Sequence, residues 1–425
     1  MVNKITFKGL LVWLVCASFF MYEFLLRTVL GTFQYPLMAD LHLSPVRFAL
    51  LSSTAYQLIY GFMQIPVGII TDRFGLKKTL LVAVVICALA NVGFSLAQHF
   101  GSAVSFRILM GLGSSFGFVC LLVAVYDWMP RKNIALFIGL SQLIGTMGPM
   151  LAAGPMNMLS ESSIISWRTV FLSLGAIGAV IAVLVLLFVD KNRRNQGKFI
   201  ILSRPSAISR NVVRLLSQKQ TWLIAIFSAC VYFSIEYLSE NEGVAFLGKK
   251  GFSSTFSSYM ITLAWLGYAV SCPLLGYLSD KIQRRKPIML GSVLIALLAL
   301  CGIVYLSLGP VWTSICFILL GTGASGQSVG FAIMAEQCRE DNLAVGMGLN
   351  NAMIMMFAAI NAPLIGSVLS RLAPHVIRLS DYRNAFSIMI VLLLIALVLV
   401  MFFIKETFCK SMRENTTLQP VTDNG

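Results

Sequence analysis

Residues 68–78 read GIITDRFGLKK, and residues 276–286 read GYLSDKIQRRK. Each stretch closes one apolar run, passes an acid and a base, and ends in paired cations before the next apolar run. The offset between them, 208 residues, is nearly kept by four other pairs of stretches. FMYEFLLR (Phe20 to Arg27) returns as FSIEYLSE (Phe233 to Glu240), and Gly111-Leu112-Gly113 returns as Gly321-Thr322-Gly323. NIALFIGL from Asn133 returns as NLAVGMGL from Asn342, and WRTVF from Trp167 as YRNAF from Tyr382. All five offsets lie between 208 and 215 residues and keep one order, the mark of a tandem duplication.

What lies between these marks is apolar. Hydrophobic residues make up 58% of the 425 residues and charged residues 12%, about half the charge of a soluble domain. Runs of some twenty apolar residues recur from end to end, so the solvent of this chain is lipid. They predict twelve membrane-spanning helices, six per half. The first half holds them at 9–37, 46–71, 79–98, 102–127, 133–158 and 168–189. The second half holds them at 220–247, 255–279, 287–308, 311–337, 343–370 and 383–404. The expected class is therefore an all-α integral membrane protein of two pseudo-symmetric six-helix bundles. Its expected parts are an N-terminal bundle (1–190), a basic linker (191–219), a C-terminal bundle (220–405) and a polar, mobile tail (406–425). Lys4 and Lys8 before the first apolar run imitate a signal peptide. The run continues too far for a signal core and is read as a retained helix 1.

The formal charge is +15, yet the cations sit in short connectors and not on one folded face, which argues against nucleic-acid binding. Arg73, Lys77 and Lys78, Arg131 and Lys132, the central loop from Lys191 to Lys219, and Lys281 to Lys286 all fall on one side for a twelve-helix count. By the positive-inside rule that side and both termini are cytoplasmic, which places the protein in an inner membrane. Arg371, Arg378 and Arg383 form the one basic connector on the other side. The nine cysteines form no CxxC pair, so neither a disulfide framework nor a zinc site is expected. No nucleophile–base pair, metal cluster or phosphate loop speaks for an enzyme, and no cofactor or metal is expected.

GIITDRFGLKK resembles the signature loop of the major facilitator superfamily, GxxxD(R/K)xGx(R/K)(R/K), at every specified position: Gly68, Asp72, Arg73, Gly75, Lys77 and Lys78. The second copy departs at Gln283, where the loop glycine belongs. With the duplication and the helix count, the resemblance covers essentially the whole chain. It implies secondary transport by alternating access, with the site between the two bundles. It also implies gating roles for Gly68, Asp72, Arg73 and Gly75, for Asp127 as the partner of Arg73, and for Asp280 in the second copy. Arg107 with Gly111 and Gly113 resembles the RxxxGxG element of helix 4, sometimes linked to proton transfer. Gly148-Pro149 and Gly154-Pro155 faintly resemble an exporter element with the wrong spacing, and are read as packing glycines and a proline kink.

Five ionisable residues lie deep in the predicted spans: Glu23, Arg27, Arg107, Glu236 and Glu240. Each costs several kcal/mol facing lipid, so they are expected to face the central cavity and one another. Glu23 and Arg27 are four residues apart on helix 1, as are Glu236 and Glu240 on helix 7. Arg27 carries a planar fork suited to a carboxylate or phosphate, and the helix 1 stretch is similar to that of organic-anion and organophosphate permeases, where such an arginine binds the anion. The two acids on helix 7 disfavour a phosphate ester. They suit an amino acid, a short peptide or a monoanion coupled to protons. Glu23, Glu236, Glu240 and Arg107 are the expected proton-coupling groups. Arg27, Glu236, Glu240, Tyr22, Tyr60, Tyr237, Trp265 and Asn350 are the expected substrate contacts.

The leading expectation is thus a monomeric, proton-coupled importer of a small carboxylate-bearing solute. Two alternatives remain open from sequence: an exporter of a drug, siderophore or metabolite, and a transporter-shaped solute sensor.

Overall fold

The computed structural model describes residues 5–130, 134–161, 166–190, 213, 216–338, 343–372 and 377–409. Among them eleven helical segments are long and apolar enough to cross a membrane. They are α1 (Phe7–Thr32), α3 (Leu76–Ser95), α4 (Phe100–Trp128), α5 (residues 134–161), α6 (Trp167–Phe188), α7 (Lys219–Glu240), α8 (Ser254–Ile282), α9 (Lys286–Tyr305), α10 (Pro310–Gln337), α11 (residues 343–372) and α12 (Leu379–Phe403). The twelfth span is α2, residues 45–74, whose apolar character is diluted by Ser52, Ser53, Thr54, Gln57, Gln64 and Thr71. The chain is all-helical, with the twelve spans the sequence predicts. Ser44, Ser166 and Ser253 cap α2, α6 and α8 through their hydroxyls, satisfying backbone donors that the helix itself leaves free. Large apolar side chains such as Phe62, Leu187 and Leu298 point outward, as a lipid-facing surface requires.

The duplication is visible in local breaks as well as in sequence. α4 is interrupted at Ser115–Phe116, and α10 at Ser325. α1 is followed by a short helix at Gln34–Asp40, and α7 by one at Gly243–Lys249. Gly75 adopts φ +81° in the first signature loop, and Gln283 at the matching place adopts φ +53°. The two turns differ in ψ: Gln283, at ψ 35°, is in the left-handed helical region that a side chain tolerates, whereas Gly75, at ψ 159°, is in a region that favours glycine. The Gln283 amide donates to the Asp280 carbonyl at 2.7 Å.

Helices α1–α6 form one half and α7–α12 the other. They meet through α1 with α7, α2 with α11 and α5 with α8. Within each half the matched glycines set the closest approaches. A Cβ on Gly111 would lie 2.3 Å from the Tyr56 carbonyl oxygen, and one on Gly321 would lie 1.8 Å from that of Ala264. Gly148 packs against the Met21 carbonyl of α1 and Gly154 against Tyr259 and Thr262 of α8, which fits the packing role expected of α5.

Two of the arginines opposite the N-terminus serve helix ends. Arg168 donates to the Ser95 and Ala97 carbonyls at the end of α3. Arg383, its counterpart in the repeat, donates to Val304 and Tyr305 at the end of α9. Cations at helix C-termini are favourable whichever side of the membrane they occupy, so Arg383 answers a local demand that competes with topology.

The C-terminal segment departs from expectation. Residues 405–409, expected to begin a mobile tail, are tied to the second signature loop. The Glu406 carboxylate accepts the backbone N–H groups of Arg285 and Lys286, both at 2.9 Å, and so caps α9. Partial burial pushes this carboxyl up, but those N–H groups, with those of Phe408 and Thr407, hold it below the usual carboxylate range. Residues 410–425 lie outside the described residues, as do most of the linker at 191–219 and the cations Arg131 and Lys132.

Gly111→Ala and Gly321→Ala are each expected to lower the melting temperature of the purified protein, since overpacking against backbone costs about 1–3 kcal/mol. Gly139→Ala, where a Cβ meets nothing within 4 Å, is expected to leave it unchanged. Thermal melting in one detergent checks all three.

Candidate functional site

A cavity of about 220 Å³ lies between the halves, lined by Glu23, Arg27 and Tyr60 from one and Tyr232, Tyr268, Gln327 and Asn351 from the other. Its lining runs toward the face that bears the N-terminus through Phe118, Ile138 and Met347. Toward the opposite face the halves are in contact. A Cβ on Gly31 would sit 2.0 Å from the Ser239 carbonyl oxygen, and one on Gly366 would sit 2.9 Å from that of Pro45. Polar contacts reinforce this seal. Ser52 donates to Asn241 Oδ1 at 2.5 Å, Asn241 donates to Ser53 at 3.0 Å, and Thr54 donates to the Ala359 carbonyl at 2.6 Å. The α2 residues Ser52, Ser53 and Thr54 belong to a single π turn, Leu50–Thr54. Such turns re-aim side chains within an otherwise regular helix and are frequent at functional sites.

Arg27 is the centre of the charged cluster and is 4% exposed. Its Nε lies 3.7 Å from Glu236 and 3.4 Å from Glu240, while Nη2 donates to the Tyr232 hydroxyl at 2.7 Å. The Phe24 ring lies 4.0 Å from the guanidinium carbon. The two ion pairs are loose. Arg27 Nε and both Glu236 carboxylate oxygens have no hydrogen-bond partner among the described residues. Glu240 is held better, accepting from Gln57 at 2.7 Å and Ser53 at 3.2 Å. The expected convergence of α1 and α7 charges is therefore what the geometry has, with one difference. Glu23 turns away from Arg27 and accepts from the Tyr56 hydroxyl at 3.3 Å, in space left by Gly117.

Arg107 corrects an expectation. It is fully buried but does not line the cavity. Its guanidinium donates to the carbonyls of Leu26, Arg27 and Ser52 at 2.6, 2.8 and 3.0 Å, and lies 4.4 Å from the Tyr56 ring centre. The cation is spent on backbone oxygens of α1 and α2, within one half. Of the expected substrate contacts, Tyr60 lines the cavity, and Trp265 stands behind it, bonded to Ser239 and edge-on to Phe24. Tyr22, Tyr237 and Asn350 do not line it, and neither do Glu236 and Glu240, which stand behind Arg27. Tyr22 donates to the Leu174 carbonyl inside the first half. Tyr237 packs on Phe233 and Phe386 inside the second. Asn350 is fully buried, and its neighbour Asn351 faces the cavity and donates to Gln64 at 2.8 Å. Tyr232 was not singled out from sequence. Its place one turn before Glu236 on α7 was the available signal.

The signature-loop residues lie at the N-terminal face. Arg73 is exposed, with its guanidinium 5.5 Å from the Phe74 ring centre. Its expected partner Asp127 lies in the last turn of α4. The side chain of Asp72 lies outside the described residues, and Gly68 is half-buried in α2. Asp280 pairs with Arg285 at 2.6 Å, and Arg285 also reaches Glu336 at 2.6 Å.

Twelve spans in two halves around a mainly apolar cavity that holds buried charges and is closed toward one face define a secondary transporter. Residues 13–248 and 242–417 match the Major Facilitator Superfamily, and the chain belongs to that family. It is 24% identical over 349 residues to the "Hexuronate transporter" of Bacillus subtilis, covering 78% of this chain and 80% of that protein. It is 25% identical to the "Galacturonate transporter" of Dickeya chrysanthemi, over 48% of this chain and 61% of that protein. It is 23% identical to the "Phosphoglycerate transporter protein" of Salmonella typhimurium, over 63% and 62% respectively. Two solved structures share the fold. One is a bacterial homologue of the human lysosomal transporter Spinster, inward-facing and unoccupied, with TM-score 0.74, 18% identity, and 93% and 96% coverage. The other is the nucleoside transporter NupG, with TM-score 0.74, 14% identity, and 93% and 98% coverage.

Arg107→Met is expected to lower stability by about 1–3 kcal/mol or more, because three buried carbonyls lose a charged donor. Melting of the empty protein checks this. A stable variant with lost proton dependence would instead make Arg107 a coupling group.

Proposed function

We propose that the protein carries a small monoanionic carboxylate bearing hydroxyl groups, of the sugar-acid kind, into the cytoplasm together with a proton. The observation that carries this reading is the state of Arg27. It is a buried guanidinium, held only loosely by two glutamates, with an unpartnered Nε at the edge of a small cavity between the halves. A substrate carboxylate can take the guanidinium fork in a way that the glutamates do not. Tyr60, Tyr232, Tyr268, Gln327 and Asn351 supply donors and acceptors suited to hydroxyl groups, and the hexuronate and galacturonate relatives support that class.

Coupling follows from charge. Glu236 and Glu240 share one cation, Arg107 being committed to backbone carbonyls. Adding an anion beside two buried carboxylates is unfavourable, and one proton on the pair removes the conflict. Proton and anion thus favour each other's binding, which is the thermodynamic form of symport. With the basic connectors placed in the cytoplasm, the sealed face is external and this state is inward-facing. The bundles at 1–190 and 220–405 would rock about the linker at 191–219, with Gly68, Asp72, Arg73, Gly75, Asp127 and Asp280 at the inner gate. Gln57, Ser53, Ser52 and Asn241 form the outer one.

In proteoliposomes with an inward proton gradient, galacturonate uptake is expected to fall at least tenfold in Arg27→Lys, which loses the planar fork. Glu236→Gln is expected to keep exchange of labelled solute while losing accumulation driven by the gradient. Unaltered gradient-driven uptake in both variants would overturn the assignment.

A further inference from the structure

The repeated WR/YR pair gives each half an aromatic donor and an arginine beside an acid on the face opposite the N-terminus. In the first half the two act together. The Trp167 indole N–H donates to Asp40 at 3.1 Å, and Arg168 reaches the same carboxylate at 2.8 Å. In the second half the acid is Glu242, just past the end of α7. The Tyr382 hydroxyl donates to it at 2.9 Å, but Arg383 stays with the carbonyls of α9. Asp40 is half-exposed and paired, whereas Glu242 is 3% exposed and forms no ion pair among the described residues. A buried carboxylate with no cation costs several kcal/mol when ionised and little when protonated.

We propose that Glu242 is a second protonation site of the transporter, which latches the outer closure when it carries a proton and releases it when it does not. The latch sits where it can act. Glu242 follows Asn241, whose amide joins Ser52 and Ser53 across the halves. It also begins the short helix Gly243–Lys249, which packs on α8 and α12. Burial pushes its carboxyl above the usual carboxylate range, against the hydrogen bonds of Gln34 and Tyr382, which lower it. Gln34 belongs to the first half, so the buried acid lies at the junction of the two.

Among the described residues no charge around it changes the argument. Tyr35 of the helix Gln34–Asp40 and Tyr237 of α7 face it with neutral hydroxyls. Lys249 is exposed, and Lys250 donates to the carbonyls of Ile303 and Leu306. On α12, the Asp381 carboxylate caps the backbone of Arg378. Glu240 is engaged by Arg27, Gln57 and Ser53, and Arg47 is exposed over the Phe100 ring. α8 presents no ionised side chain to it. Ionised Glu242 therefore gains by reaching water, which means opening the outer face.

The inference rests on the alternating-access reading above, and its test needs no solute. Spin labels on encoded amino acids at the exposed positions Arg47 and Lys249, with the nine cysteines left in place, report the outer distance by pulsed electron resonance. The wild type is expected to show the short distance at pH 5 and growing longer distances toward pH 8. The ratio should change by up to about tenfold per pH unit for one linked proton. Glu242→Gln is expected to keep the short distance, changing less than about twofold over that range. Tyr382→Phe, losing a donor that favours the ionised form, is expected to move the midpoint to higher pH, and it carries the test if Glu242→Gln does not fold. The Glu236→Gln/Glu240→Gln double variant is expected to retain the titration. A wild type locked at one distance, or a Glu242→Gln protein that titrates like wild type, would overturn the proposal. So would a titration lost only with the central acids. A failed uptake assay with Arg27 variants would leave it untouched.

Discussion

A guanidinium in the apolar middle of a membrane protein must be answered by oxygen acceptors, and for Arg27 the charged ones come from the other half of the molecule. Arg27 on α1 meets Glu236 and Glu240 on α7. The repeat explains why they can meet. Arg27 and Glu240 occupy equivalent positions in FMYEFLLR and FSIEYLSE, and equivalent residues facing a two-fold axis approach each other across it. A duplication that began with identical residues there would have put like charges together. Divergence to opposite signs turned an unavoidable contact into a favourable one, and tied the two bundles through charges that neither could bury alone.

Elsewhere the two halves solve the same problems in the same way. Glycines at 111 and 321 bring α4 against α2 and α10 against α8. Arginines at 168 and 383 close the ends of α3 and α9. Against that background the departures carry information. Arg107 and its carbonyl partners belong to the first half alone, and the matching position of α10, four residues before Gly321, is the buried Phe317. Asp40 shares an arginine and Glu242 does not. The halves differ where charge is concerned and match where backbones touch.

The architecture was legible because it depends on quantities a sequence states outright: the length of apolar runs, the order of the repeated marks and the connectors that hold cations. The site was half legible. Intramembrane charges are few, so Arg27, Glu236 and Glu240 could be named. Which way a polar residue points on a helix that is apolar nearly all round could not be read, because periodicity vanishes when every face is buried in protein or lipid. Asn350 and Asn351 differ by one step around α11, and the cavity takes the second. Tyr22 and Tyr237, one residue before Glu23 and one after Glu236, point into their own bundles for the same reason. Arg107 misled because its partners are carbonyl oxygens, which every residue carries and no sequence pattern marks. The anchored segment at 405–409 was hidden too, since a polar tail and a remote helix cap have the same composition.

The link between binding and gating needs no long pathway. Glu240 approaches Arg27 through one oxygen and accepts from Gln57 and Ser53 through the other. The same carboxylate thus belongs to the charged cluster and to the seal on the opposite face. Any change in its charge alters both at once: neutralising it weakens its hold on Arg27 and also the charge-assisted bonds to α2. Coupling between distant sites usually requires an element with two arrangements that both sites bias. Under the proposed mechanism the bias would pass through the Glu240 side chain to the α2 π turn that presents Ser52 and Ser53. The π turn Leu50–Thr54 presents Ser52 and Ser53 to the end of α7, so the contacts that seal that face and the charge at the centre share the Glu240 carboxylate.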